Sequence, residues 1–292
     1  MRSLLLSLCA HFTRALPTAL HAASHPRHRP LSPPQFFPYE LTGIPSLAAW
    51  NSTHAEEQPP WQSPVWARNS GTSFTNTIPI PFVTSLKITL TFTGAAGKSA
   101  VLYYQAHGRL LSLIDGFSFG GVELPISARL VVQRNDLVLP RLAYLPIVNV
   151  SAGSAALIAA MAIAFSAPNL NTLEGCFHSY VTAATSYPGE LHSTGTEDEF
   201  LSSYYFDMGP FQGRGAGVYY KRSSPAALSM WRSYYDDPMI LNDGGAFVWR
   251  NGDTSDPVTG IKCSIQTGGS PAGDPQDANV QTMAFVYVVA NT

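Results

Sequence analysis

Charged side chains are scarce. They make up 12% of the 292 residues, and the formal net charge is −2. Such a chain has no basic field to attract nucleic acid and no polyacidic tail, so a nucleic-acid partner is not expected. Cysteine is nearly absent. Cys9, Cys176 and Cys263 are odd in number and form no CxxC, which argues against a disulfide framework or a structural zinc site. The expected state of Cys176 and Cys263 is two buried free thiols; the alternative is a pair formed if the amino terminus is cleaved. No apolar run is long enough to span a bilayer. The nearest, Ala155 to Phe165, is bracketed by Gly153 and Pro168. Several motif-borne chemistries lack their signature too. There is no GxSxG elbow and no HExxH, and GRGAG at Gly213 to Gly217 misses both the dinucleotide and the Walker spacing. His178 and His192 stand outside any metal-ligand context, so neither a metal nor another cofactor is expected; His178 reads as a satisfied interior histidine.

What the chain has in quantity is turn residues and strand formers. Gly and Pro number 23 each. Val, Ile, Thr, Tyr and Phe are common, and this balance favours strands over helices. Residues Met1 to Tyr39 carry no acid and contain Arg2, Arg14, Arg27 and Arg29. They read as a signal peptide with a weak apolar segment, as an Arg/Ser-rich transit peptide, or as the product of a missing first exon. Secretion and an organelle are therefore both open. Residues 1–60 are expected to lie outside the fold, as disordered, targeting or atypical sequence. The sequons at Asn51 and Asn149 matter only in a secreted chain.

Leu86, Ile88, Leu90 and Phe92 alternate with polar residues, the period of a strand with one buried face. Short apolar runs then recur about every ten residues, with Gly or Pro between them. Ala155 to Phe165 is Ala-rich, yet its bracketing breakers favour a buried strand. A second set of strand candidates includes Leu173 to Val181, Phe200 to Phe206, Leu228 to Tyr235, Ala246 to Trp249 and Met283 to Val289. The expected fold is all-β: a tandem, double jelly-roll β-sandwich. Its first sandwich would span residues 61–168 and its second 169–292, with the joint near Asn169.

Three adjacent acids, Glu197, Asp198 and Glu199, stand out in so uncharged a chain. Ser193 to Thr196 precede them, and Phe200, Tyr204, Tyr205 and Phe206 follow. A carboxyl among rings is partly desolvated, which raises its pKa as a general acid requires, and ring faces stack on sugars. The plainer alternative is an exposed acidic loop with Thr194 or Thr196 as a helix cap. Glu174 lies upstream on a candidate strand. Glycoside hydrolysis needs two carboxyl groups, ~5 Å apart for retention and ~6.5–9.5 Å for inversion. Arg232, beside Trp231, Tyr234 and Tyr235, is a forked donor for hydroxyl or carboxylate groups, or else an interior Arg paired with Asp236 or Asp237. In Trp249-Arg250-Asn251-Gly252-Asp253, the Asn-Gly-Asp part reads as a turn. Trp249 and Arg250 read equally as site or scaffold.

The order of LEG (from Leu173), GTED (from Gly195), YxxDPxxxxDG (from Tyr234) and WRNGD (from Trp249) resembles the domain-of-unknown-function family 2961, also termed glycoside hydrolase family 172. IPIPFVTSLKITL and GGVELPISARL fit the same resemblance, which runs from about Trp61 to the end. It implies a double jelly roll assembled as a homotrimer or a multiple of one. It also implies a carbohydrate substrate and retaining cleavage of α-fructofuranosides or α-arabinofuranosides by two glutamates. Glu197 matches the acid/base position, and Glu174 lies in the segment that carries the nucleophile. That segment here has Cys176 near the place of a second acid, and Glu199 intervenes before the aromatic Phe200. Tyr205, Asp198, Arg232 and Trp249 would contact substrate. The alternatives are a sugar-binding relative without turnover and a structural jelly-roll oligomer.

Overall fold

The computed structural model describes residues 3–12, 19–24, 35–36, 61–62, 65–70, 73–82, 85–91, 102–111, 116–182, 189–253, 263 and 274–290. Strands predominate throughout, so the all-β expectation holds. Among the described residues no helix is long and apolar enough to cross a membrane.

Upstream of residue 116 lie β1 (Ser3–Phe12), β2 (Ala19–Ser24), β3 (Gln35–Phe36), β4 (Trp61–Gln62), β5 (Trp66–Ser70), β6 (Ser73–Phe82), β7 (Leu86–Thr91) and β8 (Leu102–Leu111). They build a five-stranded sheet ordered β4-β5-β6-β1-β8 and a three-stranded sheet ordered β3-β2-β7. The segment expected outside the fold thus supplies an interior strand. β1 runs antiparallel to both neighbours, with Leu6 opposite Ile80 on one side and Gly108 on the other. The physical reason is its uncharged apolar run from Leu4, which matches a strand hydrogen-bonded on both edges as well as it matches a targeting segment.

Downstream come β9 (Phe117–Phe119), β10 (Val122–Leu124), β11 (Arg129–Leu139), β12 (Tyr144–Val150), β13 (Ser154–Ala167), β14 (Phe177–Tyr180) and β15 (Glu190–Ser193). A one-turn helix, α1 (Thr196–Glu199), follows. The chain closes with β16 (Phe211–Gln212), β17 (Ala216–Ser223), β18 (Ala226–Ser233), β19 (Met239–Leu241), β20 (Gly245–Arg250) and β21 (Ala278–Ala290). One sheet is ordered β11-β21-β13-β18-β17-β16, with β19 also paired to β13; the other is ordered β12-β20-β14-β15. Their facing sides share one apolar core. Leu145, Ile147, Phe177, Phe247 and Trp249 come from the smaller sheet, and Ile163, Phe165, Met230, Val280 and Val286 from the larger.

The larger sheet is buried on its second face as well, where Leu157, Ala162, Trp231 and Tyr287 meet Phe117, Phe119, Val65 and Ile78. A strand covered on both faces reads as a continuous apolar run, which is why β13 shows no alternation. Its small Ala side chains leave room for the rings of Phe117 and Tyr287, whose centroids lie 5.2 Å apart. The division at Asn169 does not describe these sheets. β11 and β13 flank β21, and β12 pairs with β20, so strands from both sides of Asn169 share both layers. Strand partners are chosen by long-range burial, and ten-residue spacing carries no record of that choice.

Candidate active site

The acidic motif forms α1, and each of its four residues faces a different neighbour. Thr196 points inward, and its hydroxyl donates to the Gly175 carbonyl at 2.9 Å while accepting from Trp249 Nε1 at 2.8 Å. Asp198 bends back to the helix start, where its Oδ2 accepts from the Gly195 amide at 2.8 Å and from Thr194 Oγ1 at 2.7 Å. That is half of a capping box. Gly195 holds the N-cap position, and the cap contact comes from Asp198 rather than from Thr194 or Thr196. Glu199 is buried and accepts from the Tyr234 hydroxyl at 2.6 Å. Burial pushes its pKa up to about 6, while the Tyr234 hydrogen bond and the Arg232 charge act in the opposite direction.

Glu197 faces the fourth way. Its Oε1 accepts from the Tyr205 amide at 3.2 Å, and its Oε2 is buried with no hydrogen-bond partner. A Cβ on Gly195 would stand 3.0 Å from that oxygen, so the glycine leaves the carboxyl its space. Burial raises the Glu197 pKa above the usual carboxylate range; two amide hydrogen bonds pull it down, and the charges of Asp198 and Glu174 add to the rise. Glu174 closes a 3-10 turn, Leu170–Glu174, and its Oε1 accepts a hydrogen bond from the Tyr205 hydroxyl. The Thr196–Gly175 hydrogen bond ties this turn directly to α1. Glu174 and Glu197 therefore share one partner, Tyr205, and one anchor.

The aromatic run Phe200 to Phe206 is not the strand that its β-propensity suggests. Leu201 has φ 56°, and Tyr204, Tyr205 and Phe206 have φ 44°, 56° and 54°. Three successive bulky residues in the left-handed region carry roughly 1–2 kcal/mol of strain each. They are held by neighbours: Phe206 is fully buried, and Lys221 Nζ donates to its carbonyl at 2.7 Å. The turn leaves the Tyr204 ring 75% exposed and 5.7 Å from that of Tyr205. Burial and the Glu174 contact push the Tyr205 phenol pKa upward, so its hydroxyl stays a donor.

Three expected substrate contacts are redirected. Trp249 is 0% exposed; its indole serves Thr196 and stacks on Phe177, so it is scaffold. Arg232 is 9% exposed, with Nε and Nη1 buried without partners. Its Nη2 lies 3.6 Å from Asp237, and its guanidinium stands 5.3 Å over the Tyr234 ring. It is the interior Arg of the alternative reading, while Asp236 pairs with Arg214. Asp198 is occupied with its helix. Arg250 is scaffold too, paired with Asp253 at 2.7 Å inside the protein. Gly252 at φ 74° makes the expected turn.

Cys176 and Cys263 are joined as a disulfide, not two free thiols. Asp253 and Arg250 organise it: the Cys263 amide donates to Asp253 Oδ2 at 3.0 Å, and the Arg250 amide donates to the Cys176 carbonyl at 3.0 Å. The bond ties the chain just after the Glu174 turn to Cys263, and the Arg250 amide ties it to β20. His178 is buried in β14 with Nε2 3.1 Å from Cys176 Sγ. The side chain of His192 lies outside the described residues. Sequence reasoning missed Thr196 as the hub of the site and Tyr234 as the partner of Glu199. The GTED spacing was the signal for Thr196, while nothing local marked Tyr234. No family model matches the chain, and no curated protein is similar to it.

Proposed function

We propose that the protein is a retaining glycoside hydrolase acting on furanosides, an α-fructofuranoside or an α-arabinofuranoside. Glu197 serves as the general acid and base, and Glu174 as the nucleophile. The observation that carries this reading is the joint hold of Tyr205 on both carboxyl groups. Retention needs two carboxyl groups in close opposition with one of them protonated. The raised pKa of Glu197, from burial first, supports its part as the proton donor. In the first half-reaction Glu174 attacks the anomeric carbon, while Glu197 delivers its proton to the departing oxygen. In the second, Glu197 takes a proton from water, whose oxygen bonds to the anomeric carbon as the bond from that carbon to Glu174 breaks and frees its carboxylate. The open Tyr204 ring beside the pair supports a carbohydrate ligand, because an exposed aromatic face stacks on a sugar. A tandem jelly roll assembled as a trimer belongs to the same reading.

A second reading, a sugar-binding relative without turnover, is favoured by two observations. Glu197 Oε2 is sealed, and Cys176, near the place of a second acid, is locked in a disulfide. Hydrolysis of aryl α-L-arabinofuranoside and aryl α-fructofuranoside separates the two. Release above a Glu197→Gln control, with retained configuration in the first-formed sugar, supports the hydrolase. No release above that control refutes it, and furanoside binding insensitive to Glu174→Gln then supports the binder.

A further inference from the structure

We infer that Tyr205 is the positioning residue of the carboxyl pair, a spacer whose amide holds Glu197, whose hydroxyl holds Glu174, and whose left-handed backbone aims both groups at once. The inference rests on the hydrolase reading for its kinetic consequence but not for its geometry.

Two donors from one residue reach two acids that lie 23 positions apart in the chain (197 − 174). Between those donors stands a rigid ring, so one residue ties the two acids together. The surrounding charges make such a fixture necessary. The charges acting on Glu197 are those of Asp198 and Glu174; those acting on Tyr205 are Glu174, Glu197 and Tyr204. All are acids or phenols, so the pair is self-repelling, and the directed donors of Tyr205 hold it together. The backbone is committed to the same end. A run of three left-handed aromatic residues persists only where its surroundings over-determine it. Here the Phe206 amide donates to the Ser203 carbonyl at 3.0 Å, the Asp207 amide to the Tyr204 carbonyl at 3.1 Å, and Lys221 clamps the Phe206 carbonyl.

Tyr205→Phe in the full chain removes the hydroxyl and keeps both the amide and the ring. On an aryl furanoside, kcat is expected to fall about 10²-fold, the effect of a reacting group misplaced by about 1 Å, with KM unchanged. The titration midpoint of Glu197, followed by carbon-13 NMR of labelled glutamate, is expected to be displaced from its wild-type position. Thermal unfolding is the control and is expected to stay in place, which a merely structural residue would not allow. Wild-type kcat in Tyr205→Phe, while Glu174→Gln and Glu197→Gln are both inactive, overturns the inference and leaves the hydrolase reading standing. If the wild-type protein cleaves no furanoside, the hydrolase reading fails and the NMR titration decides alone. An unmoved midpoint then overturns the inference, and a displaced one sustains it.

Discussion

Replacing Glu199 with Gln should make the protein more stable at neutral pH, although it removes a charge beside Arg232. In the folded chain the Glu199 pKa is raised from 4.5 to about 6, chiefly by burial. An acid whose folded pKa exceeds its unfolded value binds its proton more tightly when folded. Its contribution is fully present below pH 4.5 and is lost as pH rises through about 6. The difference of about 1.5 units corresponds to about 2 kcal/mol of stability lost by pH 7. Gln is the isostere of the protonated form and still accepts from the Tyr234 hydroxyl, 2.6 Å away in the wild type. Glu199→Gln should therefore match the wild type at pH 4.5 and exceed it by about 2 kcal/mol at pH 7 to 8. Urea unfolding followed by tryptophan fluorescence at half-unit pH steps measures both. The opposite slope would refute the reasoning: a wild type that gains stability between pH 4.5 and 6 while Glu199→Gln loses it. That result would mean that the attraction of ionised Glu199 for buried Arg232 outweighs desolvation.

The remaining predictions concern the supports of the two acids. Thr196→Val leaves the Gly175 carbonyl and the Trp249 indole N–H unpaired; a loss of about 1–3 kcal/mol is expected in urea unfolding, with any furanoside turnover reduced. In Gly175→Ala the new Cβ would meet the Arg250 carbonyl oxygen at 1.7 Å, so the Glu174 turn must shift; a lowered melting temperature and reduced kcat are expected, whereas wild-type values would show that β20 yields freely. Opening the Cys176–Cys263 bond releases a loop of 87 residues; roughly 4–5 kcal/mol of stability should be lost on reduction, read as a dithiothreitol-dependent fall in melting temperature that a Cys176→Ser/Cys263→Ser variant does not show.

The strand content was legible because alternation and regular turn spacing are local signals. β13 was legible even without alternation, since Gly153 and Pro168 bound its apolar run. The pairing of Glu174 with Glu197 was an expectation from the two-carboxyl requirement and from the resemblance in motif order, and Tyr205 joins the two in the structure. What failed to show falls into three physical kinds. Partner choice between strands is long-range, so the division at Asn169 looked natural yet cuts through both sheets. Backbone handedness is set by clamps such as Lys221, so Phe200 to Phe206 carried strand propensity into a left-handed turn. An aromatic ring, or a guanidinium among rings, serves equally in a binding site or in the interior, so Trp249 and Arg232 looked like ligand contacts until their burial placed them inside. The disulfide was hidden by an odd cysteine count, which constrains pairing only when every cysteine must be matched.

A helix of four residues cannot sustain itself, because nucleation fixes several dihedrals for a single hydrogen bond. What holds α1 is its side chains. Thr196 is bound to the Glu174 turn and to Trp249, Asp198 to the helix start, and Glu199 to Tyr234. Three of the four residues thus fix the orientation of the fourth, and that fourth, Glu197, retains a buried oxygen without a partner. A cap alone would need only Asp198, and a core anchor only Thr196. On the proposed hydrolase reading, the arrangement serves to hold one carboxyl at a set angle to Glu174. The same logic explains the strain in the turn that follows. A change of backbone at Tyr205 would move its amide and its hydroxyl, and so leave the two acids without their common donor.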